Sequence, residues 1–152
     1  MQANFWNDLD RGKVGENLFC NMVANKGYEI FDLSNDKAYQ KKGVDFKIRK
    51  GLKEILVDVK TDYIMHKTGN IFLEIQDGPR VGWAKKTMAD LIFYIDYNSN
   101  TVYVLEWSSC AAKMGELRTV TFYNQDGVRM VGALLPINKL DELQITYQVL
   151  QF

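Results

Sequence analysis

The chain carries no excess charge: Lys+Arg and Asp+Glu each number 19 in 152 residues, so the formal net charge is zero. No global field draws it to phosphate, and any nucleic-acid binding must come from a local patch. Cysteine is scarce. Cys20 and Cys110 lie far apart and outside any C-x-x-C spacing, so both read as small apolar packing residues of a reducing compartment. Only two prolines occur, Pro79 and Pro136, both at element boundaries, and no repeat or Pro/Gly/Ser linker divides the chain. A single domain over 1–152 is expected. No apolar run approaches membrane-spanning length, and the segment MQANFWNDLDRG lacks a basic stretch followed by an apolar one. These absences lead us to expect a cytoplasmic protein, in the host's cytoplasm if its origin is viral.

What is present is an alternation of helical and extended patterns. Val14, Leu18, Met22 and Val23 recur at helical spacing, and Gly27 is placed to stop a helix over 12–26. Residues 28–33 read as extended and 34–42 as a polar loop. Two strands follow at 44–49 and 54–60, joined by Lys50-Gly51-Leu52-Lys53, and a third at 70–76 that Asp77-Gly78-Pro79 breaks. A short helix over 81–90 precedes 91–96, whose apolar character predicts a central strand. Further strands are expected at 101–107, 118–123, 128–134 and 145–150, with Asp126-Gly127 turning a hairpin and short helices near 109–115 and 138–143. The pattern is that of a mixed α/β sheet with the first helix packed on it.

The chemistry concentrates on the first hairpin. Asp58 and Lys60 are two apart and share a strand face, while Val57 and Val59 point the other way. Asp45 on the neighbouring strand, flanked by Val44 and Phe46 on the opposite face, can bring a second carboxylate to the same place. Two such oxygen donors suit Mg²⁺ (or Mn²⁺), with the carbonyl of Val59 as a further ligand. Lys60 beside the ion can orient or deprotonate an attacking water. The bland alternative is a pair of solvated carboxylates with Lys60 as their cross-strand partner. Against it stands the apolar context of Asp58, between Leu56-Val57 and Val59, where an unpaired carboxylate is costly.

Gly43-Val44-Asp45 and Val57-Asp58-Val59-Lys60-Thr61 together resemble the PD-(D/E)xK nuclease superfamily, with Val44 standing where that family's proline would be. Gly15-Glu16 in the first helix is similar to its Holliday-junction-resolvase-like branch. The resemblance covers roughly residues 12–97. It implies a restriction-endonuclease-like core (helix, three strands, helix, strand) with additional C-terminal strands. It also implies a Mg²⁺-dependent deoxyribonuclease, acting on DNA that is branched or otherwise structured. Catalysis would fall to Asp45, Asp58, Lys60 and Glu16, and metal binding to Asp45, Asp58, Val59 and Glu16, with Glu74 and Gln76 assisting. Two-strand cutting implies a homodimer, for which 128–135 and 147–152 offer apolar surface. Lys41, Lys42, Lys47, Arg49, Lys67 and Lys85 form the local patch for DNA phosphates. The alternative is a non-catalytic nucleic-acid-binding or assembly module that keeps the fold.

Overall fold

Helix α1 (Gln2–Ala24) covers one face of a six-stranded sheet whose order is β1 (Glu29–Asp32), β2 (Phe46–Lys50), β3 (Lys53–Asp62), β6 (Leu91–Asp96), β7 (Thr101–Glu106) and β10 (Tyr147–Gln151). This computed structural model describes residues 2–152, with side chains described from Gly12 onward. Strands β1, β2 and β3 run antiparallel in succession, and β6 lies parallel to β3 with Asp58 opposite Ile92. The parallel step needs a crossover. It is made by α3 (Met65–Thr68), β4 (Asn70–Asp77), β5 (Arg80–Val81) and α4 (Trp83–Lys86).

A second, antiparallel sheet packs on the opposite face in the order β5, β4, β9 (Arg129–Pro136), β8 (Thr119–Tyr123). Two cores result. Phe19 and Val23 of α1 bury against Phe46, Ile48, Val57, Val59, Phe93 and Ile95. Between the sheets, Val44, Ile92, Tyr94 and Leu105 meet Ile71, Leu73, Ala133 and Leu135. Strand β3 therefore feeds both cores. Val57 and Val59 face the helix, so alternation turns Asp58 and Lys60 toward the second sheet.

The structure departs from the sequence reading in several places. The strand expected at 70–76 exists, but it joins the second sheet instead of extending the first. Strand β3 takes β6 along one edge and β2 as far as Val57 along the other, while β4 pairs with β9. Val44 and Phe46 do not share a face, since Val44 enters the inter-sheet core and Phe46 the helix core. The loop expected at 34–42 contains α2 (Lys37–Lys41), which Asp36 caps through the amides of Ala38 and Tyr39. The helix expected over 81–90 lasts only Trp83–Lys86, because Thr87 turns extended (φ −61°, ψ 135°). The helix expected near 109–115 divides into α5 (Trp107–Ala111) and a 3₁₀ turn, Met114–Glu116. The last helix is only a 3₁₀ turn, Ile137–Lys139.

Candidate active site

Asp45 lies one residue before β2, and its backbone is held on both sides. Its N–H donates to the Val57 carbonyl (3.0 Å), and its C=O accepts from the Leu33 amide (2.9 Å). The side chain then continues the ladder where the backbone leaves it, Oδ2 accepting from the Val59 amide at 2.8 Å. The turn before it is fixed from the far side of the crossover. Gly43 has φ +64°, its carbonyl accepts from the Thr87 hydroxyl (3.0 Å), and Met88 N–H donates to the Lys42 carbonyl (2.8 Å). A side chain at Gly43 would press within 3.2 Å of the Thr87 Cα, so glycine is required twice over.

Asp58 is 1% exposed, and neither of its oxygens accepts a hydrogen bond. Lys60 Nζ stands 3.3 Å from Oδ1. Burial lifts the Asp58 pKa to about 8; Lys60 opposes this, and the adjacent Asp45 adds to it. Lys60 itself is partly exposed and lies 5.3 Å from the centre of the Trp83 ring. Trp83 is tied back to β4, its amide donating to Glu74 Oε1 at 3.4 Å. The Glu74 pKa is raised, chiefly by burial, while the Trp83 amide and Lys60 pull it down.

Glu16 reaches the same end of the sheet from α1. Gly15 makes this approach possible: a Cβ there would lie 2.0 Å from the Thr61 hydroxyl of β3. The Glu16 pKa is raised first by burial, then by Asp45 and Asp32, with Lys13 and Lys60 opposing. The structure thus brings Asp45, Asp58, Lys60 and Glu16 into one electrostatic neighbourhood, with Glu74 on its second-sheet side. Val59 offers its carbonyl on the strand edge where its amide meets Asp45, past the start of β2.

Gln76 is not drawn in. Its amide nitrogen donates to the Gly78 carbonyl (2.8 Å) and its oxygen accepts from Arg129 (3.3 Å), so it serves the turn after β4. Of the basic residues, Lys41, Lys42, Lys67 and Lys85 are exposed. Lys47 and Arg49 lie over the Phe31 ring at 4.9 and 5.1 Å, and Arg49 pairs with Glu29 at 3.0 Å, so these two are partly committed within the protein. One acidic neighbour was not singled out in the sequence, Asp32. The extended segment that carries it was legible, but not its pairing with β2, whose register sets Asp32 opposite Phe46 and so beside Asp45.

No family model matches the chain, and no curated protein or solved structure does either. The site stands on its geometry. Among the described residues no three His, Cys, Asp or Glu side chains already converge as a ligand cage, and no helix is long and apolar enough to cross a membrane. Mg²⁺ needs fewer protein donors than a cage supplies, commonly one or two carboxylates with waters and substrate oxygens completing the octahedron. The buried, unsolvated oxygens of Asp58 beside Asp45 fit that requirement.

Proposed function

We propose that the chain is a metal-dependent endonuclease of the PD-(D/E)xK type, hydrolysing phosphodiester bonds in DNA. The observation that carries this reading is Asp58: a buried carboxylate that no backbone amide or neutral side chain caps, flanked by an acid on the adjoining segment and by the Lys60 ammonium 3.3 Å away on its own strand. A structural carboxylate in that position would be neutralised by donors. The order of elements supports it too. What agrees is a helix on the sheet and a strand, β6, parallel to the strand that carries Asp58 and Lys60; the expected third strand, 70–76, lies in the other sheet, and β1 occupies a place beside β2 instead.

Asp58, Asp45 and the Val59 carbonyl would hold Mg²⁺, and Glu16 would complete the acidic set. Such an ion would supply Lewis acidity for phosphodiester hydrolysis. Lys60 would orient the attacking water and meet the charge that develops on the phosphate, and Asp58 would give up its proton on binding the ion. Glu74 keeps Trp83 beside Lys60 through its hydrogen bond, which limits the positions the ammonium can take. Exposed Lys41, Lys42 and Lys85 contact phosphates without reading sequence. Strand β9 is paired on both sides and is closed to a partner, whereas β10 is an edge whose Val149 and Phe152 are exposed. A second copy joined there would present two sites for two strands.

The test is cleavage of linear, nicked and four-way DNA, labelled on both strands, with Mg²⁺, Mn²⁺ or EDTA. Wild type should cut only with a divalent ion, and Asp58→Asn and Lys60→Ala should each lose about 10²–10⁴-fold in rate. Nicks confined to one strand argue for a working monomer. Equal cutting by wild type and both variants, or none on any substrate, overturns the nuclease reading; binding without cutting returns the non-catalytic alternative.

A further inference from the structure

Beside Lys60 the two sheets leave an open groove of about 520 Å³, inside the range of about 300–1,000 Å³ usual for ligand sites. Aromatic rings contribute to its walls: Tyr63 after β3, Phe72 of β4, Trp83 of α4 and Phe122 of β8. Phe72 and Phe122 stand 5.7 Å apart at 60°, and Phe122 is 44% exposed although it is a large apolar ring. The Phe72 ring lies against Gly132 of β9, where a Cβ would come within 2.1 Å of it. The sequence thus keeps a glycine under this ring, and the ring faces the groove.

The groove carries one charge of each sign. Asp62 lines it with both oxygens turned to donors of the protein, Oδ2 accepting from the Tyr94 hydroxyl at 2.6 Å and Oδ1 from the amides of Ile64 and Met65 at 2.7 and 2.8 Å. Lys60, partly exposed and 3.3 Å from Asp58, is the cation of the lining. Thr61, Thr68 and Asn70 add polar edges between the rings. Exposed Lys67 and Lys85 sit on α3 and α4, the two short helices that border it. A planar π-face joined to an anion is the ligand that matches such a surface.

We infer that this groove binds an unpaired nucleobase, stacked against Phe122 and Phe72, of the strand whose phosphate lies at Lys60. The inference deepens the nuclease reading by naming its substrate class as DNA or RNA with an unpaired segment at the cleavage point. Stacking also suits a neutral protein, because it supplies affinity that does not depend on net charge.

Anisotropy with labelled oligothymidylate, oligouridylate and a blunt duplex, each of about 12 nucleotides, tests it on the full chain in EDTA, where no cleavage intervenes. Phe122→Ala should bind the tighter of the two single strands about tenfold more weakly, with duplex binding and melting temperature unchanged, and Phe122→Trp should restore binding. The tighter partner identifies the sugar. Parent-like binding by Phe122→Ala overturns the inference, as does equal loss on duplex. Loss of self-association with unchanged oligonucleotide binding also overturns it, and makes the groove a contact between copies. Phe122-dependent binding in a protein that cuts nothing would sink the nuclease reading while leaving the groove standing.

Discussion

The buried carboxylate of Asp58 contributes a pH dependence to the stability of this protein. Asp58 has a pKa of about 8 in the folded chain against 3.8 as a reference. Between those values the folded state holds a proton that the unfolded state has released. Stability from this group is therefore full below the reference value and declines as pH rises toward 8, by at most about 1.4 kcal/mol per unit. Asp58→Asn removes this share of the slope and leaves that of Glu16 and Glu74. We expect urea titrations at pH 8 to find that variant more stable than wild type by about 1–3 kcal/mol, even as it loses cleavage. Mg²⁺ should raise the melting temperature of wild type and leave the variant's unchanged. A variant less stable than wild type at pH 8 would mean that Asp58 is already neutralised without a cation. In the sequence this residue was legible in two ways, as the first half of D-x-K and as an acid set among Leu56, Val57 and Val59. Its missing donors were not, because they depend on what the second sheet places opposite.

Among elements, α1 matters most to the site, and one glycine sets its distance. Gly15 touches Thr61 so closely that an added methyl group would have to displace the helix or the strand. Alanine gains about 1 kcal/mol over glycine inside an isolated helix, but overpacking a close contact costs about 1–3 kcal/mol. The second effect should win. Gly15→Ala is expected to lower the urea midpoint, and to weaken Mg²⁺-dependent cleavage by moving Glu16 away from Asp45. An unchanged midpoint would show that α1 can ride over β3 freely. The helix itself was legible from Val14, Leu18, Met22 and Val23, since its apolar stripe is local. The short elements were not: α2 rests on the Asp36 cap, and α3 on the Asp62 carboxylate that receives the Ile64 and Met65 amides. Four or five residues carry too little periodicity to announce themselves.

At the scale of the whole molecule, most strands were readable but their partition into two sheets was not. Alternation says which residues share a face; it does not say which strand lies alongside. Ile71 and Leu73 read as one face of a strand, and they are, yet the pairing of β4 with β9 joins segments some sixty residues apart. Only β6 declared its place in advance through its apolar run 91–95, because a strand covered on both faces has no polar side to show. Strand β6 is paired along its whole length on both edges, as is β3 as far as Val57, and this has a further consequence for motion. The amides of these stretches have no route to solvent short of global unfolding, whereas β8, an edge of the outer sheet, can open alone. In deuterium, the amides of Val57, Ile92 and Ile95 should be the last to exchange and those of Thr121 and Phe122 among the first. Comparable protection in the two groups would mean that the sheets open together. If they do not, the acids stay fixed while one wall of the groove breathes.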